Sequence, residues 1–184
     1  MNENPARCIC KMHTLYFSII CVLLSVCYLC RMKILMVCLG NICRSPLAEG
    51  IMQTVAAEAG LHWTVESAGT ANYHVGEPPH KLSQKVSKLH GIDISGQRCR
   101  QFRAKDMLEY DRIYVMDTNN YADVERMSGH HWAPEKTALL LDALWPGQNK
   151  SVPDPWYGEE DGYHEVFDLI KQACERIVMN YRES

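Results

Sequence analysis

Short apolar runs and helical apolar stripes alternate along most of this chain. Residues 33–37, KILMV, form a continuous apolar run, which is typical of a strand buried on both faces. Further strands are predicted at residues 62–69, 111–117 and 136–141. Apolar residues at helical spacing predict helices at residues 46–59, 80–90, 118–129 and 162–181. Strands that alternate with helices indicate an α/β fold, with a parallel sheet of four strands and helices on both faces.

Local signals mark where the predicted helices begin and end. Ser45 is the expected cap of the first helix, followed by a proline, and Gly60 is its expected stop. Gly91 should end the second helix, and Thr118 is the expected cap of the third. Ligands of parallel α/β folds bind at the carboxyl ends of the strands, and Cys38 stands at the end of the first strand.

The first 31 residues form a segment of different character. Residues 15–30, LYFSIICVLLSVCYLC, are apolar, and three interpretations are open. A signal peptide would need an A-x-A-like cleavage site, which does not follow, and a membrane helix would usually be slightly longer. We favour an extension upstream of a natural start at Met32, because only two residues separate the run from the first strand. We therefore divide the chain into residues 1–31 and a domain at 32–184, and expect membrane contact only if the apolar run is a real anchor.

Composition and charge narrow the function classes. The chain has 184 residues, of which 47% are hydrophobic and 22% charged, so we expect one ordinary globular domain. The formal net charge of -3 and the absence of a Lys/Arg cluster give no indication of nucleic-acid binding. The nine cysteines are too sparse for a secreted disulfide framework. Cys27 and Cys30 form a C-x-x-C without a second pair, and the histidines show no metal-ligand spacing, so no metal site is predicted.

The segment VCLGNICRSPLAEG, residues 37–50, connects the first strand to the first helix. A loop in this position points backbone N–H groups at one spot, where the helix dipole adds positive partial charge. Gly40 lets the backbone approach an anion closely, and Asn41 tolerates a left-handed conformation. The sequence therefore predicts an anion-binding loop that begins at Cys38. The loop is not a nucleotide P-loop, because no G-x-x-x-x-G-K-[ST] motif is present.

The same loop combines a nucleophile with a phosphate ligand. Helix N-termini and nearby cations favour the thiolate form of cysteine, which is the nucleophilic form, and we expect this form for Cys38. Ser45 can donate a hydrogen bond to the thiolate, and Arg44 offers a planar fork for two phosphate oxygens. A buried cysteine in a tight turn is the structural alternative. The strand before the loop and the helix start after it favour the chemical interpretation.

A second segment, SVPDPWYGEED at residues 151–161, supplies a candidate proton donor. Transfer of phosphate to a thiolate expels an alkoxide or phenolate, which leaves poorly without a proton. Asp154 lies between two prolines that restrict its backbone, and Trp156 and Tyr157 follow it. Taken alone, the segment is also typical of a proline-rich surface turn.

Together, VCLGNICRSPLAEG and DPWYG resemble the low-molecular-weight protein tyrosine phosphatases. The resemblance covers roughly residues 32–181 and includes SAGT at 67–70, GEPPH at 76–80 and HGID at 90–93. It implies a four-stranded parallel sheet of the Rossmann-like or flavodoxin-like kind, with a phosphate-binding loop after the first strand.

The resemblance also implies roles for particular residues. Cys38 would be the nucleophile, Arg44 the phosphate clamp and Asp154 the general acid. The remaining residues of the phosphate-binding loop would be Leu39, Gly40, Asn41, Ile42, Cys43 and Ser45. Trp156 and Tyr157 would form the substrate rim. Ser67, His90 and Asp117 would support the site from outside, although each is also an ordinary residue for the end of a strand or helix.

The implied activity is hydrolysis of phosphotyrosine in protein substrates through a phosphocysteine intermediate, without a metal or other cofactor. Three alternatives remain open. Thioredoxin-coupled arsenate reductases share the fold and loop but need two further cysteines, and residues 91–102 hold only Cys99. Protein arginine phosphatases carry threonine at the position of Ile42, whose apolar side chain suits a phenyl ring. A non-catalytic phosphotyrosine-binding module would be expected to lack Cys38 or Asp154.

Cys43 lies in the same loop as Cys38 and suggests redox control. Peroxide converts an accessible thiolate to a sulfenic acid, which a neighbouring cysteine can trap as a disulfide. Family members often carry a cysteine at this place, so the resemblance favours this role over simple packing. Activity that depends on a reduced Cys38 agrees with a cytoplasmic location better than with membrane anchoring or export.

Overall fold

The computed structural model describes residues 32–183 and contains one four-stranded sheet within them. Its strands are β1 (Lys33–Cys38), β2 (Thr64–Gly69), β3 (Arg112–Val115) and β4 (Thr137–Leu139). All neighbouring strands pair in parallel, in the order β2–β1–β3–β4. The predicted parallel sheet is therefore confirmed. The predictions made for residues 1–31, including the apolar run and the C-x-x-C, lie outside the described residues.

Five α-helices connect and follow the strands within the described residues. They are α1 (Arg44–Glu58), α2 (Lys81–Leu89), α3 (Asp106–Glu109), α4 (Thr118–Ser128) and α5 (Glu160–Glu183). The four-residue α3 was not predicted, because one turn is too short to show a helical period. Residues 140–141, predicted as strand, instead begin a 3-10 turn, Leu140–Ala143. Between Met32 and Glu183, we find no helix with both the length and the apolar character that a bilayer span requires.

The side chains of β1 explain why the sheet is covered on both faces. Ile34 and Met36 belong to a core cluster with residues of α1 and α5. Leu35 and Val37 point the other way, into a second cluster that includes Val124 of α4. All four β1 side chains are fully buried, and each contributes about 1.5–3 kcal/mol to folding by leaving water. The continuous apolar run is thus the sequence signature of a central strand.

Two predicted helix caps are wrong, and both corrections concern the site. Helix α1 begins at Arg44, so Ser45 lies inside the helix and its hydroxyl bonds to Cys38 instead of capping. Helix α4 begins at Thr118, and the preceding Asp117 is its cap. The Asp117 carboxylate accepts a hydrogen bond from the Asn120 backbone N–H at 2.7 Å. The predicted stops at Gly60 and Gly91 are confirmed by their φ angles of 75° and 78°.

The strand order places the carboxyl ends of β1 and β3 side by side. The chain leaves β1 toward β2 on one side and later reaches β3 on the other, which creates a topological switch point. Cys38 ends β1, and Asp117 follows β3 at the same edge. The Val152 N–H donates to the Met116 carbonyl at 2.7 Å, which brings residues 151–158 to this edge. The fold thus assembles two segments that are far apart in sequence.

Candidate active site

Residues 38–45, here called the Cys38 loop, curve around the Cys38 sulfur. The Asn41 backbone N–H donates to Cys38 Sγ at 3.2 Å, and Ser45 Oγ lies 3.0 Å from the same sulfur. Asn41 Nδ2 donates to Ser45 Oγ at 3.0 Å, which occupies an acceptor site of the hydroxyl and leaves its proton available. The other acceptor within reach of that proton, the Ala68 carbonyl, is farther away at 3.3 Å. The loop can therefore give a Cys38 thiolate two hydrogen bonds.

Asn41 holds the loop in its curved shape. Its φ of 57° lies in the left-handed region, which asparagine tolerates better than most residues. Its Nδ2 also donates to Ser67 Oγ at 2.8 Å, and its Oδ1 accepts from the Arg100 N–H at 2.9 Å. Cys99 Sγ lies 2.6 Å from the Asn41 carbonyl oxygen, to which its thiol can donate. The side chain of this buried residue thus uses both its donor and its acceptor groups.

Of the three residues predicted to support the site from outside, the structure brings Ser67 and Asp117 to it, but not His90. Ser67 accepts from Asn41 and donates to Glu49 Oε2 at 2.6 Å. Burial raises the pKa of Glu49, and the bond from Ser67 partly offsets this. His90 is exposed at the end of α2 and stacks on Phe167, with 4.0 Å between ring centroids. Among the described residues, His90 makes no hydrogen bond to the Cys38 loop.

Gly69, which the sequence reasoning did not single out, lies directly against the Cys38 loop. A Cβ atom on Gly69 would stand 2.7 Å from the Leu39 carbonyl oxygen and 3.0 Å from the Asn41 nitrogen. Both contacts are with backbone atoms, which cannot move aside without changing the loop. The motif SAGT, residues 67–70, carried this signal, because a glycine at a strand end often marks a close backbone approach.

Arg44 is buried at the first position of α1 and held by acceptors on three sides. Its Nη1 donates to Asp117 Oδ2 at 2.7 Å and to the Val152 carbonyl at 3.2 Å. Its Nη2 donates to Asp154 Oδ2, also at 2.7 Å. Burial alone would lower the pKa of Arg44, but the opposing charges of Cys38, Asp154 and Asp117 outweigh burial and raise it. The guanidinium is therefore a fixed positive charge at the loop.

Asp154 bridges the Cys38 loop and its own segment, residues 151–158, here called the Asp154 loop. One carboxylate oxygen accepts from Arg44, and the other accepts from the Trp156 N–H at 3.1 Å. The Asp154 side chain is 42% exposed, so it faces both the loop and solvent. Trp156 is 43% exposed and Tyr157 is 95% exposed, beside the same opening. Asp154 thus lies against the Arg44 guanidinium, at the cavity that Cys38 also lines.

A cavity of about 220 Å³ opens above the Cys38 loop. Its floor is formed by Cys38, Leu39, Gly40, Ile42, Cys43 and Arg44, and its wall by Asp154, Trp156 and Tyr157. Tyr73 and His74 complete the wall, and the sequence analysis missed both. They lie in an irregular segment after β2 without a periodic pattern, so the only signal was their position just before the GEPPH motif.

The cysteines of the domain are free thiols that differ in environment. Among the described residues, Cys38, Cys43, Cys99 and Cys174 are free and buried. Cys43 Sγ lies 3.6 Å from Tyr163 Oη, and burial raises the pKa of Cys43 to about 11. Burial raises the pKa of Cys99 to about 12. Within residues 32–183, no group of three or more histidine, cysteine or carboxylate side chains has the arrangement of a metal site.

The fold and the site define the class of protein. A cysteine and an arginine share one strand-to-helix loop at the switch point of a parallel sheet, and a carboxylate faces both across a small cavity. The family model for low-molecular-weight phosphotyrosine protein phosphatases matches residues 33–184. The chain belongs to this family, whose members are phosphoric monoester hydrolases.

Individual relatives agree with this assignment over nearly their whole length. The low-molecular-weight protein-tyrosine-phosphatase YfkJ of Bacillus subtilis is 36% identical over 82% of this chain and 96% of its own. The human low-molecular-weight phosphotyrosine protein phosphatase is 34% identical over 77% of this chain and 90% of its own. The crystal structure of YfkJ superposes with a TM-score of 0.76, covering 83% of this chain and 96% of that one. A protein tyrosine phosphatase from Entamoeba histolytica is 35% identical, with a TM-score of 0.75 and coverage of 83% and 97%.

Proposed function

We propose that this protein hydrolyses phosphotyrosine in protein substrates through a phosphocysteine intermediate on Cys38. The observation that carries the proposal is the joint placement of three groups around one cavity. Cys38 Sγ accepts from the Asn41 N–H and lies 3.0 Å from the Ser45 hydroxyl, Arg44 lines the same cavity, and Asp154 lies 2.7 Å from the Arg44 guanidinium. A nucleophile, an anion clamp and a proton donor are the three groups that phosphoryl transfer to a thiolate needs.

In the first step, the Cys38 thiolate attacks phosphorus in line with the leaving oxygen. An S–P bond forms as the P–O bond to the tyrosyl oxygen breaks. Arg44 and the backbone N–H groups of the Cys38 loop stabilise the charge on the equatorial phosphoryl oxygens. Asp117 fixes the Arg44 fork through the 2.7 Å bond to Nη1, so the clamp needs little reorganisation during the reaction. Because these groups supply the positive charge, the reaction needs no metal.

Asp154 supplies the proton for the departing phenolate. Its carboxylate accepts a hydrogen bond from Arg44 Nη2 at 2.7 Å in the structure. A phosphate dianion beside Arg44 offsets the guanidinium charge, and the Asp154 carboxyl can then hold a proton for the leaving oxygen. In the second step the Asp154 carboxylate accepts a proton from water, which attacks phosphorus and breaks the S–P bond. The products are tyrosine, inorganic phosphate and the regenerated thiolate.

The cavity wall supports phosphotyrosine as the substrate group. Three aromatic side chains, Tyr73, Trp156 and Tyr157, stand around the opening, and Ile42 lies on the floor. Flat apolar walls pack on a phenyl ring and exclude water from it. A short phosphoserine side chain would place its phosphate above the loop, and a phosphoarginine would bring polar N–H groups against the rings.

The three alternative functions have weaker support. An arsenate reductase would need two further reactive cysteines, whereas Cys99 is buried against Asn41 and burial raises its pKa to about 12. An arginine phosphatase is disfavoured by the apolar Ile42. A binding module without catalysis is disfavoured because Cys38 and Asp154 are both present and both face the cavity. The thiolate mechanism requires a reduced cysteine, and we propose the cytoplasm as the place of action.

The experiment that tests this function is hydrolysis of para-nitrophenyl phosphate in the presence of a chelator. We expect activity in the wild type, none in Cys38→Ser, and a sharp loss in Arg44→Ala. Cys174→Ser is the matched control, because Cys174 lies in the core away from the cavity wall and should leave activity unchanged. Full activity in Cys38→Ser, or loss of wild-type activity on addition of chelator, would contradict the proposal.

A further inference from the structure

His80 links the Cys38 loop to helix α2, which follows the two adjacent prolines at 78–79. It is the residue that immediately precedes α2, and its backbone N–H donates to the Ile42 carbonyl at 2.7 Å. The ring Nδ1 accepts a longer hydrogen bond, 3.4 Å, from the Leu82 N–H in the first turn of α2. The backbone of His80 is therefore fixed to the Cys38 loop, independently of what its ring does.

The His80 ring contacts two aromatic rings. On one side it stacks on Tyr163 of α5, with 5.4 Å between centroids and 18° between planes. Tyr163 is fully buried, and its hydroxyl contacts Cys43 Sγ beneath the loop. On the other side the His80 ring meets Trp156 at 5.4 Å and 62°, an edge-to-face arrangement. One neighbour of the His80 ring is thus fully buried, and the other belongs to the Asp154 loop.

The position of Trp156 affects the proposed acid directly. Its backbone N–H donates to Asp154 Oδ1 at 3.1 Å, so a hydrogen bond joins the tryptophan backbone to the carboxylate. Trp156 is 43% exposed, and its other ring contact is His74 at 5.7 Å, which itself lies in the cavity wall. Among the described ring contacts of Trp156, His80 is therefore the one whose own ring packs on a fully buried side chain, that of Tyr163.

We propose that His80 is a positioning residue for proton transfer, whose ring holds Trp156 and thereby keeps the Asp154 carboxyl at the leaving oxygen. The inference rests on the proposed function, since it assigns the support of the general acid in that mechanism. Partial burial and the neighbouring Lys81 lower the pKa of His80, which agrees with a neutral ring that stacks and accepts a hydrogen bond through Nδ1. A small misplacement of an acid relative to the leaving atom is enough to slow transfer.

Two substitutions distinguish the contact of the His80 ring with Trp156 from the role of His80 as the cap of α2. His80→Phe keeps an aromatic ring but removes the acceptor for the Leu82 N–H. His80→Asn keeps a good capping side chain but removes the ring. The measurement is kcat/KM for phenyl phosphate, whose leaving group needs a proton, and for para-nitrophenyl phosphate, whose leaving group needs it much less. Melting temperatures of both variants report any loss of the folded state.

We expect His80→Asn to lower kcat/KM for phenyl phosphate by about 2- to 10-fold, the factor to which one aromatic pair corresponds. Its activity on para-nitrophenyl phosphate should stay near that of the wild type, and His80→Phe should resemble the wild type on both substrates. In an Asp154→Asn background, His80→Asn should cause no further change in the ratio between the substrates.

The reverse pattern would overturn the inference. Equal losses on both substrates, normal ratios in His80→Asn, or a further change in the Asp154→Asn background would each show that His80 does not act through the acid. Failure of the proposed function is a separate result, because it would appear as wild-type activity that survives Cys38→Ser. The leaving-group ratio is measured on activity that Cys38→Ser abolishes, so the two results cannot be confused.

Discussion

Replacement of Asn41 tests whether the shape of the Cys38 loop depends on one buried amide. The side chain makes three hydrogen bonds, to Ser45, Ser67 and the Arg100 N–H. At about 0.5–1.5 kcal/mol each, their loss in Asn41→Gly should lower the free energy of unfolding by roughly 1.5–4.5 kcal/mol. Asn41→Ala should cost about 1–2 kcal/mol more, because alanine is strained at the observed φ of 57° and glycine is not.

The assay is equilibrium unfolding in urea, combined with kcat/KM for an aryl phosphate. Both variants should lose activity, since the Ser45 hydroxyl is no longer oriented by Asn41 toward Cys38. Ser67→Ala removes two hydrogen bonds, the one from Asn41 and the one to Glu49, and should therefore show about two thirds of the loss in Asn41→Gly. A free energy of unfolding in Asn41→Gly equal to that of the wild type would refute this account of the loop. Equal free energies of unfolding for Asn41→Gly and Asn41→Ala would refute the argument that alanine is strained at this position.

Three further predictions concern chemistry and regulation. Asp154→Asn should lower kcat/KM for phenyl phosphate by roughly 10²–10⁴-fold and for para-nitrophenyl phosphate by less; an equal loss on both would indicate a structural role. In peptide hydrolysis, phosphotyrosine should be preferred over phosphoserine and phosphoarginine, and faster hydrolysis of phosphoarginine would make Ile42 a poor guide to the substrate. After peroxide inactivation, dithiothreitol should restore the wild type but restore Cys43→Ser much less. Burial raises the pKa of Cys43 to about 11, which protects Cys43 itself from peroxide, because the thiolate is the form that peroxide oxidises. Equal recovery of both proteins would show that Cys43 does not protect Cys38 from irreversible oxidation.

The sheet and its central strand were predictable because burial on both faces leaves a direct signature. The KILMV run corresponds to β1, and each further predicted strand contains an observed one. Strand ends were less well predicted: β4 has three residues where six were expected, because Leu140 and Leu141 are buried without being in the sheet. Apolar residues occupy buried positions in strands and in turns alike. An apolar run therefore does not show whether the backbone is extended or turned.

The chemistry of the Cys38 loop was predictable for a different reason. Its cysteine, glycine, asparagine and arginine are adjacent in sequence, so a local motif contains most of the anion site. The contact between Arg44 and Asp154 joins residues separated by 110 positions. It was anticipated from the need for a proton donor and from the DPWYG motif, not from any pattern of spacing.

The residues that sequence analysis missed act across the fold without a local pattern. Cys99 and Arg100 contact Asn41 of the Cys38 loop, and Glu49 contacts Ser67, through interactions that only the folded chain creates. Ser45 was misassigned as a cap because serine before proline is a common helix start, whereas here the hydroxyl bonds to the Cys38 sulfur. His90, expected near the site, packs on Phe167 instead.

Direct detection of a phosphoryl group on Cys38 tests the central claim. In Asp154→Asn, para-nitrophenolate can leave without a proton, but the water of the second step has no base, so the covalent intermediate should accumulate. We predict that mass spectrometry after a rapid denaturing quench will find one phosphoryl group on the peptide that contains Cys38, and none in Cys38→Ser. Turnover of substrate without this modification, or a phosphoryl group on another residue, would contradict the proposed mechanism.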